Sequence, residues 1–313
     1  MTHSPLILVT RQSQLALTQS RWVARELARL NPGLAVELVN MTTTGDLMSQ
    51  QPLPQIGGKG LFTKELEDAL LAGRAHLAVH SLKDLPTVLP AGLVLAAVPP
   101  REDVRDVLLS RAGATLKELP QGALIGTSSV RRAAQLRRFR PDLRIESLRG
   151  NLDTRLRKLK EGPYDAIVLA AAGIKRLGWA EQITEYLDPE IVCPAVGQGA
   201  LGIEACSDDR ATLTVLSLLE DPHARLSVTA ERTLLLKLGG GCQIPIAAYT
   251  SISDSATPSM TLTAVVISPD GTQWIDSKES VNALTAEAAA DLGERCAAHL
   301  LSQGAAALLA LPS

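Results

Sequence analysis

Short apolar runs alternate with amphipathic stretches through about the first two-thirds of the chain, and this rhythm restricts the fold more than any other feature. Leu6 to Thr10 reads as a strand. Gln14 to Leu30 reads as a helix stopped by Asn31-Pro32-Gly33. Val36 to Met41 is a second strand, Phe62 to Ala72 a helix closed by Gly73, and Leu77 to His80 and Leu93 to Val98 are further strands. Strand-helix-strand alternation implies an α/β fold: a parallel or mixed sheet with helices on both faces.

The rhythm then restarts. Leu124-Ile125-Gly126-Thr127 runs into Ser128-Ser129-Val130-Arg131-Arg132 and a helix through Phe139, as Leu8-Val9-Thr10-Arg11-Gln12-Ser13 runs into the first helix. Ala166 to Leu169 likewise parallels Leu77 to His80. Two similar α/β domains follow, with crossovers expected at Pro99-Pro100-Arg101 and Cys193-Pro194. After about residue 220 the character changes to a helix (Leu226 to Leu238), a hairpin turning at Pro269-Asp270-Gly271, and an Ala-rich helix (Ala283 to Leu301), a small α+β third domain. A chain of 313 residues accommodates two or three domains. With 46% hydrophobic and only 3% aromatic residues, its cores must be aliphatic.

Composition also narrows the function. Thirty-one Lys and Arg against 33 Asp and Glu give a net charge of -2, which disfavours a general nucleic-acid binder. The apolar run Leu6 to Val9 meets Arg11 too soon for a secretion signal, and no run approaches a membrane span. Cys193, Cys206, Cys242 and Cys296 are scattered without a Cys-x-x-Cys pair, so no metal site or disulfide framework is expected, and a reducing, cytoplasmic setting is.

Basic residues recur beside Ser, Thr and Gly where strands give way to helices: Arg11 with Ser13, Thr127 to Arg132, and Arg149-Gly150-Asn151 with Arg155. Lys83 and Arg176 are placed in comparable loops. Helix N-termini offer unpaired N–H groups and a positive dipole end, and arginine adds a bidentate fork for carboxylates. Neither a Gly-x-x-x-x-Gly-Lys-Ser/Thr loop nor a helix-opening Gly-x-Gly-x-x-Gly is present, so carboxylate ligands are favoured over phosphate. Gly57-Gly58-Lys59-Gly60 reads as a lid or as a plain flexible loop. Asp84, after Lys83 at a strand exit, is either a carboxylate that stabilises a cation or moves a proton, or a salt-bridge partner or cap. His76 and His80, about 13 Å apart on a strand, cannot share a metal and read as structural. Cys242 follows three glycines at a helix end, where the dipole does not favour a thiolate. It is an accessible thiol that serves as an attachment point or as an inert loop residue.

Taken together, Thr10 to Ser13, Gly57 to Phe62, His80 to Asp84, Gly126 to Arg132, Leu148 to Arg155, Pro194 to Gly199 and Gly240 to Pro245 resemble, in order and spacing, the porphobilinogen deaminase (hydroxymethylbilane synthase) family. The resemblance implies two domains of the type II periplasmic-binding-protein fold (1–99 with 200–217, and 100–199) and a third (218–313) presenting Cys242. It implies a dipyrromethane cofactor joined to Cys242 by a thioether, and porphobilinogen as substrate for a monomeric transferase of tetrapyrrole (haem) biosynthesis. Asp84 would be the catalytic carboxylate and, with Lys83, Thr127, Ser128, Ser129, Arg131 and Arg132, would hold the cofactor. Arg11, Ser13, Arg149, Arg155 and Arg176 would hold substrate and growing chain, and Lys59 and Phe62 would belong to the lid. Gln55 stands where many members carry Lys, and Asp153 adds a carboxylate not found in all. Two readings compete: a ligand sensor built like a binding protein, which leaves Cys242 idle, and a cysteine hydrolase or acyltransferase pairing Cys242 with His80.

Overall fold

The computed structural model describes residues 5–47, 62–239, 245–255 and 257–310. In chain order the first elements are β1 (Leu6–Arg11), α1 (Gln14–Leu30), β2 (Val36–Met41), α2 (Thr44–Leu47), α3 (Lys64–Leu71), β3 (Leu77–Ser81) and β4 (Leu93–Ala97). Then come β5 (Asp106–Ser110), β6 (Leu124–Gly126), α4 (Val130–Phe139), β7 (Arg144–Glu146), α5 (Leu152–Glu161), β8 (Ala166–Ala170), α6 (Ala171–Arg176) and β9 (Glu185–Tyr186). The remainder is β10 (Leu201–Cys206), α7 (Arg210–Leu216), α8 (Pro222–Lys237), β11 (Ile246–Ser253), β12 (Ser259–Ile267), β13 (Trp274–Val281), α9 (Ala286–Ser302) and α10 (Ala305–Leu309).

These elements form two units. One comprises Met1–Arg101 with Ala200–Arg225, the other Glu102–Gly199 with Leu226–Ser313. In the first, a five-stranded sheet has the order β2-β1-β3-β10-β4, with β1 parallel to β2 and β3 and β10 antiparallel to both its neighbours. Its α1 face is sealed by Leu8, Val23, Leu27, Leu77, Val79 and Ile203, and the opposite face by Val9, Leu66, Leu70 and Ala78. A sheet covered on both faces needs strands apolar on both sides, which explains the unbroken runs in the sequence.

The second unit repeats this plan. Its order β7-β6-β8-β5-β9 places β6 parallel to β7 and β8, with β5 antiparallel to β8 and β9. Each sheet thus has one inverted strand, delivered just after the chain changes unit: β5 follows the Arg101 crossing and β10 the return at Ala200. The expected α/β class and the restart of the pattern are both present, in two mixed five-stranded sheets.

A third, antiparallel sheet, β11-β12-β13, packs one face against α8, α9 and α10 through Leu234, Met260, Leu262, Leu292 and Leu300. The expected hairpin turn is present: Gly271 adopts φ 81° and its N–H donates to Ser268 O. This turn sits on α4, where Arg137 donates to Pro269 O at 2.9 Å and Arg138 lies 4.8 Å over the Trp274 ring. Among the described residues no helix is long and apolar enough to cross a membrane.

Helices α8 and α9 touch backbone to backbone. A Cβ on Gly293 would lie 2.4 Å from Ala230 O and 2.8 Å from Thr233 Cβ. Alanine would gain about 1 kcal/mol of helix propensity, but the clash costs about 1–3 kcal/mol and prevails. Gly293→Ala should therefore lower the urea midpoint, and an unchanged or raised midpoint would contradict this packing.

Candidate active site

In the first unit the candidate residues lie at the carboxyl ends of β1 and β3, the edge at which open α/β sheets bind ligands. Ser13 caps α1, its Oγ accepting from Ala16 N at 3.3 Å, and the first turn holds no acidic residue to offset the positive helix end. The cap accepts one bond and keeps a hydroxyl proton to donate. The half-buried Arg11 lies 4.3 Å over the Phe62 ring, a cation–π contact that joins an expected carboxylate ligand to an expected lid residue. Buried Gln19 donates to Ser81 Oγ at 3.0 Å, tying α1 to the end of β3.

Beyond Ser81 the chain makes one 3-10 turn, Leu82–Asp84, fixed by Leu82 N donating to Ala200 O at 3.0 Å. Lys83 is half-buried and Asp84 exposed. No described side chain pairs with the Asp84 carboxylate, in contrast to its salt-bridge reading. His80, by contrast, is buried with Nε2 3.0 Å from Glu204 Oε2, and His76 Nδ1 accepts from Ile7 N at 2.9 Å. Both histidines are structural, as expected, and His80 is committed to a glutamate.

In the second unit the junction of β6 and α4 carries Thr127 to Arg132. Ser129 caps α4 by accepting from Arg132 N, Thr127 Oγ1 accepts from Ser129 N at 3.2 Å, and Ser128 Oγ donates to Leu148 O at 2.7 Å. Arg131 and Arg132 are 6% and 5% exposed and turn inward onto Asp106, which is fully buried. Arg131 Nη2 meets Asp106 Oδ2 at 2.7 Å, and Arg132 Nη2 meets Oδ1 at 2.7 Å. Arg131 also donates to Cys193 O, Arg132 to Val168 O, and Gln198 Nε2 to Asp106 Oδ1 at 2.9 Å. Burial pushes the Asp106 carboxyl up, but the two guanidiniums more than reverse this and hold it well below the usual carboxylate range. The group of three keeps one net positive charge.

Arg149 and Arg155 are half-buried where β7 leads into α5, and Arg155 Nε donates to Gly150 O at 2.8 Å. Gly150 has φ 113°, and a Cβ there would meet Thr154 at 2.6 Å. Arg176 lies in the last turn of α6 and not in a loop, because the helix that follows β8 continues through it. Its Nη2 donates to Gly199 O at 2.7 Å, and burial lowers its pKa to about 10, which leaves it cationic at neutral pH. Cys242, Lys59, Gln55 and the glycines around Lys59 lie outside the described residues. No group of three or more His, Cys, Asp or Glu suited to a metal ion occurs among the described residues.

Residues 6–214 match the profile described as porphobilinogen deaminase, dipyromethane cofactor binding domain, and residues 225–302 match the one described as porphobilinogen deaminase, C-terminal domain. The chain belongs to the porphobilinogen deaminase family. A relative from Brevibacillus brevis, named porphobilinogen deaminase, is 51% identical over 301 residues, covering 96% of this chain and 95% of its own. One of the same name from Syntrophotalea carbinolica is 50% identical over 310 residues, covering 99% and 96%. Among solved structures, the substrate binding domain of a putative molybdenum ABC transporter from Clostridium difficile aligns with TM-score 0.45 at 10% identity, over 71% of this chain and 94% of that one.

Asp106, Gln198 and Glu204 were not among the residues singled out from the sequence. An aspartate opening the apolar run Val107-Leu108-Leu109 was the available signal, since a charged residue inside such a run needs a buried partner. Asp106→Asn should cost about 3–5 kcal/mol at neutral pH by leaving two buried guanidiniums uncompensated. The folded-state pKa lies below the unfolded one, so the contribution of Asp106 is fully present above about pH 4 and declines as pH falls further. Denaturant midpoints of wild type and variant should therefore converge in acid, and a gap that widens there would refute the pairing.

Proposed function

We propose that this chain joins four porphobilinogen molecules head to tail, losing one ammonia at each addition, and that hydrolysis by one water then releases the linear tetrapyrrole hydroxymethylbilane for haem and porphyrin synthesis. Family membership over nearly the whole chain carries this reading. The charge pattern supports it: porphobilinogen bears an acetate and a propionate, and every addition brings two more carboxylates.

The residues present suit a covalently held polycarboxylate. The Arg131-Asp106-Arg132 group has one positive charge in excess, and neither α1 nor α4 has an acidic residue in its first turn. Joined to Cys242 by a thioether, a dipyrromethane would supply the nucleophilic pyrrole on which the chain grows. Lys83, Thr127, Ser128, Ser129, Arg131 and Arg132 would neutralise its carboxylates, the arginines through the charge left over from Asp106. Arg11, Ser13, Arg149, Arg155 and Arg176 would receive substrate and growing chain, with Lys59 and Phe62 as the covering lid. The exposed Asp84 accepts hydrogen bonds from pyrrole N–H groups and offsets the positive charge that develops on porphobilinogen as its bond to ammonia breaks. After the new carbon–carbon bond forms, Asp84 is placed to take the proton lost from the nucleophilic pyrrole, which regains its aromaticity.

The same reading gives a cytoplasmic monomer of three domains, 1–99 with 200–217, 100–199 and 218–313, binding neither nucleic acid nor membrane. The separate sheets and the net charge of -2 support it. The burial of His80, only 5% exposed, weighs against a cysteine hydrolase that would use His80 as base.

Intact mass tests the tether. Purified protein should exceed its sequence mass by two linked pyrrole units and redden with an aldehyde reagent for pyrroles, and Cys242→Ser should do neither. Active protein at its unmodified mass would overturn the reading. Asp84→Ala should keep the added mass while kcat falls about 10²–10⁴-fold. Near-wild-type kcat in that variant would remove Asp84 from the chemistry.

A further inference from the structure

Three ionisable side chains of the first unit are buried on β3, which leads into the Lys83–Asp84 turn, and on two elements packed against it, and the proposed function does not use them as a group. His80 stands on β3, Glu204 on β10, and Glu67 on α3, which packs across β1, β3, β4 and β10. Glu204 is fully buried and Glu67 is 7% exposed. The His80–Glu204 bond uses Glu204 Oε2 only. Glu204 Oε1 and Glu67 Oε1 are both buried and have no hydrogen-bond partner among the described residues.

Among the described residues the packed elements offer little compensating charge. Strand β4 carries no titratable side chain, and β1 only Arg11, at its end over the Phe62 ring. On β10 the other titratable group is Cys206, whose thiol donates to Leu70 O and is pushed up by burial. On α3 itself, Glu65 accepts from Thr44, and Lys64 and Asp68 complete the set. His80 supplies at most one positive charge for two buried carboxyl groups. Two ionised carboxylates there would carry a surplus charge with too few donors, a costly state in an apolar interior.

We propose that Glu67, Glu204 and His80 form a proton-sharing cluster that positions the Lys83–Asp84 turn, with Glu67 entering it as the neutral acid. Its functional half rests on the reading of Asp84 as the catalytic carboxylate. A protonated Glu67 removes the surplus charge and supplies one further donor among oxygens of which Glu67 Oε1 and Glu204 Oε1 are unpartnered. Burial pushes the Glu67 carboxyl up and Glu204 pushes it further, while Thr63 and His80 pull the other way, for a net rise. Ionised Glu67 sets like charges on α3 and β10. Strand β10 in turn holds the end of β3, with His80 opposite Gly202 and Leu82 N on Ala200 O. Glu67 and Glu204 are thus positioning residues for Asp84.

A group whose folded pKa is raised binds its proton more tightly when folded, so its contribution to stability is full below the unfolded value, about 4.3, and is lost as pH rises through the folded value. Glu67→Gln is neutral at every pH and lacks this loss. In the cofactor-bearing full chain, wild type and Glu67→Gln should have similar denaturant midpoints at about pH 4, and the variant should gain on the wild type at a second pH well above it. The ratio of variant to wild-type kcat should rise over the same interval with KM unchanged. A variant equally weakened at both pH values, or a wild type that gains on it as pH rises, overturns the cluster. A shifting midpoint with a flat kcat ratio overturns the positioning role alone, and an active Asp84→Ala overturns the catalytic reading while leaving the midpoint result intact. Should Glu67→Gln not fold, Glu204→Gln serves: without the neighbouring charge Glu67 titrates lower, so the decline must move to lower pH, and a decline that stays in place overturns the proposal.

Discussion

The second unit depends on a single carboxylate. Asp106 opens β5, the strand laid down just after the chain enters this unit, and it gathers Arg131 and Arg132 from α4 and Gln198 from the segment about to leave. The same two arginines reach Cys193 O and Val168 O, so the pairing fixes α4, β5, β8 and the outgoing chain together. Burying an ion pair is rarely the cheapest route to stability, since apolar residues of equal volume often do as well. What apolar residues cannot supply is a residual positive charge held rigidly at a helix N-terminus. On the proposed function, the holding of carboxylates and the unit's internal order therefore have one origin.

The first unit holds two of its acids, buried Glu204 and half-buried Glu220, in a similar way. Glu204 takes His80 as partner, and Glu220 accepts from Val98 N at 2.7 Å while pairing with Arg225. These acids lie on or beside the returning chain, so the return is fastened by polar contacts as well as by Ile203 and Leu201 in the core. Such contacts are directional where apolar ones are not, and they fix the register of an inverted strand against neighbours that would accept other registers.

Much of this was legible in the residues. The β1–α1–β2 stretch falls where periodicity and the Asn31-Pro32-Gly33 stop place it. The repeat of strand, hydroxyls, arginine and helix marks two copies of one topology. Strand β10 escaped notice because Gly202 and Glu204 interrupt its apolar pattern. A Cβ at Gly202 would strike Leu82 at 2.7 Å, and Glu204 is tolerated only through His80, both being tertiary facts. Strands β7 and β9, of three and two residues, are too short for any period. Ser13 and Ser129, singled out in the sequence as anion ligands, also cap helices, since both roles draw on the same unpaired N–H groups. The inward turn of Arg131 and Arg132 depends on Asp106, about 25 residues away, and no local pattern encodes it.

The exchange of inverted strands has a consequence for how the chain is made. On a ribosome, residues through Arg101 emerge with β3 and β4 but without β10, the strand that separates them in the finished sheet. The N-terminal unit therefore cannot close until about a hundred further residues have been synthesised, and its central pairings are among the most distant in the sequence. Such long-range closure is slow and leaves strand edges exposed meanwhile. The second sheet receives β5 before its other strands and can close as soon as β9 appears. Order of synthesis and order of closure should thus be inverted: the sheet begun second is the first that can be completed.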